Sequence, residues 1–432
     1  MREGGEYMKK VLNKNFAVSL LDSDYFKYII AFFLLFFFRP LFFEQAAFRL
    51  FEVFFLRMLQ ISSFMIFVFY FFLMVKTREI AKELMLLVAY VMSLLISTII
   101  NGHSIGMFMT TTYPLLAISI LLTICMKARP KDTLVGFSII LTTLLVLSFI
   151  VMLIQPLGFL PYMHFLRPRN QLAPFYVISA VIAILNRQIE PNPKTYRIEY
   201  LTLILSSLMI FHLRSGSNLV AWMLFLIGYA MLTLNISKEN LIKRIFEAFR
   251  NKFRIQFVYL SYALFSIAVI FFDIQRFFSG FFENALNRNL TFSGRTYLWE
   301  ISRALISQRP ILGLGVDDSG GNILNVDEHP YFFWFPQGIE KSAHNQFIHT
   351  LLLGGFLTFL MVCLFMFISG RKLVIFKEKE ITKIIILGIL SILMVYFSEA
   401  MGFTDLFILL IIASQLDRVF EMINPTVEET FK

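Results

Sequence analysis

His344 and Asn345 close the longest polar stretch of an otherwise apolar chain, within Ser342-Ala343-His344-Asn345-Gln346-Phe347-Ile348-His349-Thr350. From Leu351 the sequence runs apolar to Ser369. An imidazole titrates near neutrality, so a histidine held at a membrane surface is suited to accept a proton. Arg214 and Arg295 stand at the mouths of other apolar segments. A guanidinium stays charged and grips phosphate through paired hydrogen bonds. The chemistry open to this trio is proton abstraction beside a bound anion.

The elements that must position these residues follow from composition. The chain is 58% hydrophobic and carries 52 Phe, which no soluble domain of this length tolerates. A spanning helix needs ~20 mostly apolar residues, and such segments recur. The class is therefore an all-α, polytopic membrane protein with about twelve spans and one large outer loop containing short helices. Spans are expected at residues 28–43, 51–75, 84–100, 105–126, 133–156, 172–186, 198–213, 217–235, 256–272, 346–369, 383–399 and 403–417. That divides the chain into an N-terminal membrane bundle (1–272), an extracytoplasmic loop (273–345), and C-terminal spans with a short cytoplasmic tail (346–432). The polar lead Met1–Lys27 and the long apolar run after it read as an anchor rather than a cleaved leader.

Orientation follows from lysine. With both termini cytoplasmic, the inner segments hold nearly all of it, and Lys341 alone falls outside. The net charge of +10 thus marks span flanks and not a nucleic-acid surface. Cations on the outer side are almost all arginine, among them Arg167, Arg169, Arg214, Arg295, Arg303 and Arg309. Each alone could be a headgroup anchor; as a set they point to an anionic ligand. Arg167-Pro168-Arg169-Asn170-Gln171 could bind phosphate or sugar hydroxyls, or be a rigid loop with solvated charge. Leu298, Ile301 and Leu305 recur at helical spacing, predicting an amphipathic helix with Ser293 as N-cap and Arg295 in its first turn, where free N–H groups favour an anion. On the inner side, residues 237–254 read as a basic interfacial helix on anionic lipid.

Other candidates are weaker. His349, five positions after His344, points elsewhere on a helix. Glu399, at the end of an apolar segment, calls for a partner such as one of the arginines. Asp317-Asp318 and Asp327-Glu328-His329 lack metal-ligand spacing, so neither metal nor cofactor is expected. Gly313-Leu314-Gly315 lacks the lysine of a phosphate-binding loop. The aromatic run from Tyr331 to Phe335 could stack on sugars or pack in the interface belt. Cys125 and Cys363 fall inside spans and read as small buried hydrophobes.

Together these residues resemble the O-antigen ligase and Wzy-type polymerase superfamily, most sharply from about Phe211 to Thr358. The matching features are Arg214 at a span end; Gly294-Arg295, Trp299, Pro310, Gly313 and Gly315; and His344, Asn345, Gly355 and Thr358 at the spacing of the ligases' histidine motif. Arg169-Asn170 matches a further loop loosely. The resemblance implies glycosyl transfer on the outer face of a bacterial cytoplasmic membrane, from oligosaccharide carried on undecaprenyl pyrophosphate. His344, Arg214 and Arg295 would be catalytic; Arg167, Arg169, Asn170, Asn345, Arg303 and Glu399 would bind substrate. Membrane lipid, a chain-length regulator and a flippase are the implied partners. A polymerase that joins repeat units and a ligase that moves the finished glycan to lipid A core both fit. A lipid-linked oligosaccharide flippase would instead favour charged or broken helices at the bilayer midplane.

Overall fold

The computed structural model describes residues 24–45, 48–77, 81–155, 164–235, 241–272, 295–316, 324–325, 339–340 and 342–423. The helices are α1 (Phe26–Phe37), α2 (Arg49–Thr77), α3 (Lys82–Ile100), α4 (Ile105–Ala128), α5 (Pro130–Ile154), α6 (Ala173–Ile189), α7 (Pro193–Leu213) and α8 (Gly216–Thr233). They continue with α9 (Leu241–Lys252), α10 (Ile255–Phe272), α11 (Arg295–Gln308), α12 (Gln346–Ser369), α13 (Arg371–Ile375), α14 (Glu380–Tyr396), α15 (Thr404–Ser414) and α16 (Leu416–Ile423). A two-residue antiparallel ladder, Leu324–Asn325 against Ile339–Glu340, is the sheet structure among the described residues.

The chain is an all-helical, multi-pass membrane protein. The segments expected to cross the bilayer are mostly helical, but the one expected at 28–43 ends at Phe37 and is followed by a 3-10 turn, Leu41–Glu44, and only eight helices among the described residues are long and apolar enough to span. Of the rest, α1 and α15 are short apolar helices, α14 has 17 residues, and α7 carries Lys194, Arg197 and Glu199 in its first two turns. The segment expected to run to residue 417 instead ends at Ser414, and α16 begins at Leu416.

The helices form two compact units. The first comprises residues 1–81, 116–214 and 415–432. Within it α6 is buried from Ala173 to Asn186, with α7 on one side and α5 on another. A helix apolar on all sides is stable only when enclosed. Asn186 spends its amide on the Leu134 carbonyl at 3.0 Å. Asn192 and Thr195 cap the start of α7 reciprocally, with Pro193 in the first turn.

The second unit comprises residues 82–115 and 215–414. Here α12 packs along α3, and α8 along α14. Phenylalanine fills the interior: Phe403 stacks on Phe407 at 5.3 Å, and Tyr90 meets both edge-on. The basic helix α9 buries none of its residues and leaves Leu241, Ile242 and Ile245 exposed, while Arg250 donates to the carbonyls of Met231 and Leu234 at the end of α8. Cys125 is buried, and Cys363 is only half-buried, contrary to expectation.

The second unit is organised around an interruption in α12. At Gly355 the backbone turns to φ 63°, ψ −166°, a conformation essentially confined to glycine. In a continuous helix the N–H groups of Phe356 and Leu357 would donate to the carbonyls of Leu352 and Leu353. Instead they donate to Pro310 and Ile311, at 2.7 and 3.1 Å. The two vacated carbonyls accept from Leu314 N–H and Gly315 N–H at 2.8 and 2.7 Å. The strap Pro310–Gly315 thus satisfies all four groups, which a low-dielectric surround would penalise heavily if unpaired. Gly313 and Gly315 enter left-handed conformations, at φ 68° and 80°. That is the use of the Gly-x-Gly that resembles no phosphate loop. The approach is close: a Cβ on Gly355 would lie 2.3 Å from the Ile311 carbonyl oxygen, and one on Gly313 would lie 2.5 Å from the Gly355 nitrogen.

Gly355→Ala is expected to cost about 4 kcal/mol or more, because strain and backbone collision combine. Gly102→Ala, at φ +73° with nothing within 4 Å of the added carbon, should cost about 1–2 kcal/mol from the left-handed backbone alone. Thermal unfolding of the detergent-solubilised variants, compared side by side, checks the difference.

Candidate functional site

The start of α12 is pinned by its own first residues. Asn345 is the N-cap: its Oδ1 accepts from the N–H groups of Phe347 and Ile348 at 3.1 and 3.0 Å. Its amide donates to the Phe397 carbonyl at 3.0 Å. Gln346 Oε1 accepts from Met401 N–H and Gly402 N–H at 2.8 and 2.7 Å. These bonds draw the turn after α14 against the mouth of α12. Both side chains are buried. Asn345, expected to bind substrate, therefore has its polar atoms committed to the backbone.

That turn carries Glu399, only 3% exposed. Its Oε1 takes the Arg295 guanidinium, and its Oε2 lies 3.1 Å from His344 Nδ1. Arg295 opens α11, as its spacing predicted; Ser293, the expected N-cap, lies outside the described residues. Trp299, one turn on, is buried and packs edge-on against Phe397 at 5.5 Å. Leu298 packs with Leu352 of α12. One buried carboxylate thus joins a base candidate and an anion-binding candidate, from three separate stretches of the second unit. An ionised carboxylate can only accept, so with Glu399 ionised the Nδ1 of His344 is the donor in this contact. Both oxygens of Glu399 face protein groups, and Arg295 is the cation partner that its place at a span end called for.

Backbone geometry singles out the same residues. Among the described residues other than glycine, Arg214 and His344 alone have positive φ, at 51° and 45°. Each such conformation costs roughly 1–2 kcal/mol in a residue with a Cβ, and strain of this kind collects at functional sites. His344 takes it up immediately before the Asn345 cap. Arg214 takes it up at the left-handed C-cap of α7, a position usually given to glycine. Arg214 is exposed and is the last residue of the first unit.

The remaining candidates fall in different surroundings. Arg303, on α11, lies over the Phe271 ring at 5.8 Å, a cation–π contact. Arg169, Asn170 and Gln171 form a single 3-10 turn of the first unit, following Arg167. Beside them is a residue that nothing in the local pattern singles out. His164 is buried, and its N–H donates to the Arg167 carbonyl at 3.2 Å. Burial, then the neighbouring His212 and Arg169, push its pKa down to about 4. A histidine four residues before the Arg-Pro-Arg run carries no distinguishing pattern. The aromatic run at Tyr331–Phe335, the acidic pairs near 317 and 327, and Gly294 lie outside the described residues.

With this geometry in hand, comparison with protein-family models is informative. Residues 201–363 match the model described as O-antigen ligase. The match supports a membrane glycosyltransferase of the O-antigen ligase or polymerase type. It includes Arg214, Arg295, Arg303, His344 and Asn345, and leaves Arg167, Arg169, Asn170 and Glu399 outside. No match was found among curated proteins.

Because His164 is held neutral in the fold and would titrate near its ordinary value of 6.5 when unfolded, the unfolded chain binds more protons between pH 6.5 and about 4. The stability His164 contributes is therefore full above pH 6.5 and is lost as pH falls toward 4. His212→Gln, by removing a neighbouring cation, should raise the His164 midpoint, measured by NMR titration of ring-labelled histidine. A midpoint unmoved from about 4 would show that His212 takes no part and that burial and Arg169 set it.

Proposed function

We propose that the chain is a polysaccharide polymerase that joins undecaprenyl-pyrophosphate-linked oligosaccharide repeat units on the outer face of a bacterial cytoplasmic membrane. The observation that carries this reading is the buried Glu399 carboxylate holding Arg295 on one oxygen and His344 on the other. In the reaction, an acceptor sugar hydroxyl attacks the anomeric carbon of the donor. The new C–O bond forms as the bond from that carbon to the diphosphate oxygen breaks. The hydroxyl proton passes to Nε2 of His344. The electron pair leaves with the diphosphate, whose growing charge Arg295 and Arg214 stabilise. Direct displacement inverts the anomeric centre, without the second nucleophilic carboxylate of a retaining double displacement. The cations supply the charge stabilisation without requiring a metal.

Glu399 fixes the tautomer that leaves Nε2 basic, and it counters the positive charge that builds on the ring. Arg167, Arg169, Asn170 and Arg303 are assigned to binding the lipid-linked saccharide. The lysine distribution supports cytoplasmic termini, with the site on the opposite face. The product of an upstream flippase would be the substrate, and a chain-length regulator the natural partner.

A second reading is ligase: transfer of the lipid-linked glycan to lipid A core or another acceptor. The description of the matched family favours it. The acceptor separates the two readings. Purified protein given lipid-linked repeat unit alone should yield a ladder of longer lipid-linked products; product only after addition of a distinct acceptor would replace polymerase by ligase.

Arg214→Ala and Arg295→Ala are expected to abolish elongation at unchanged protein level, and activity should survive a chelator. His344→Ala is expected to lower the rate by roughly 10²- to 10⁴-fold. Glu399→Gln should fall comparably, because an amide N–H facing Nδ1 moves the ring proton to Nε2. Near-normal turnover in His344→Ala would remove the general base from the scheme.

A further inference from the structure

The strap that fills the break in α12 is also the tail of the helix that begins with Arg295. α11 runs from Arg295 to Gln308, and the strap follows at once. α12 in turn begins at Gln346, two residues after His344. Strap and break therefore form the far closure of a loop whose near closure is the Arg295–Glu399–His344 contact. Where the strap sits along α12 sets where α11 sits, and with it Arg295.

A set of side chains on α3 fixes that seat. Asn101, just past the end of α3, donates its amide to the Gly313 carbonyl at 3.2 Å and to the Ser97 carbonyl at 2.7 Å. Its Oδ1 accepts from the Arg309 guanidinium, at the junction of α11 and the strap. His103 Nε2 lies 3.0 Å from the Leu314 carbonyl. Thr98 Oγ1 accepts from Val316 N–H at 3.1 Å, and Ser97 Oγ donates to the Leu353 carbonyl at 2.9 Å. Lower down, Ser93 and Thr358 share a hydroxyl–hydroxyl bond of 2.7 Å. Asn101 alone binds α3, the strap and Arg309 together. One amide thus joins the three elements that bear on the register.

We propose that Asn101 is a positioning residue for glycosyl transfer: by clamping the strap into the α12 break, it sets the placement of Arg295 opposite His344. It touches none of the reacting groups and acts through Arg309 and the backbone of Gly313. This rests on the assignment of Arg295 and His344 to the reaction. In a preorganised site a misplacement of about 1 Å at a charged group can cost on the order of 10²-fold in rate. Losing Asn101 leaves the backbone bonds of the strap intact, so the protein folds with α11 less firmly registered.

The test uses full-length protein with Cys125 and Cys363 replaced by alanine and spin labels at Ala304→Cys on α11 and Leu360→Cys on α12. Both of these positions are exposed. The distance distribution between the labels and kcat at saturating lipid-linked donor are measured on the same monodisperse sample, with and without Asn101→Ala. Asn101→Ala should broaden a single narrow distribution and lower kcat at least tenfold. A distribution that stays narrow overturns the proposal whatever the rate does, because the register then does not depend on Asn101. Broadening with kcat unchanged overturns it as well, because the register then does not govern the chemistry. His344→Ala in the same labelled background keeps the narrow distribution. If that variant retains turnover, the assignment of the base fails, independently of the distances.

Discussion

A membrane helix can be interrupted only where something else satisfies the backbone groups it releases. At Gly355 those groups are the carbonyls of Leu352 and Leu353 and the N–H groups of Phe356 and Leu357, and Pro310–Gly315 answers all four. Two internal helix bonds are exchanged for four bonds to the strap. Close backbone contact is the condition for the exchange, and it explains why glycine stands at 313 and 355. The Pro…Gly-x-Gly segment and the Gly…Thr segment, separate motifs along the chain, are two sides of one contact.

The same economy governs the mouth of α12. Asn345 and Gln346 spend their polar atoms on N–H groups and carbonyls of the α12 start and the turn after α14. That turn delivers Glu399 to a nearly enclosed position with Arg295 and His344 on its two oxygens. Removing one partner of such a buried set leaves uncompensated charge, at a cost of several kcal/mol. The carboxylate is thus structural cement, and in the proposed reaction it also sets the ring tautomer of His344.

The membrane class and the position of the helices were legible because hydropathy acts over ~20 residues and survives local irregularity. Arg295 at a helix start was legible from the spacing of Leu298, Ile301 and Leu305. Glu399 was legible as a carboxylate in need of a cation, but not which cation, since Arg295 lies 104 positions away in sequence. The break at Gly355 was invisible: Gly354-Gly355 inside an apolar run reads as ordinary helix until a second segment competes for its hydrogen bonds. The capping role of Asn345 was hidden for a related reason. A capping asparagine and a ligand-binding asparagine look alike at the mouth of a span; only its bonds to Phe347, Ile348 and Phe397 separate them. His164 had no local signature, because its neighbour His212 is brought to it by the fold.

The strap also has a consequence for biogenesis. Its three components leave the ribosome far apart in time: α3 first, Pro310–Gly315 much later, and Gly355 last. The register of α11 therefore cannot be set until α12 has been synthesised and has met α3. Such long-range closure is slow compared with helix formation. Until then, Leu314 N–H and Gly315 N–H lack the Leu352 and Leu353 carbonyls that they meet in the folded protein.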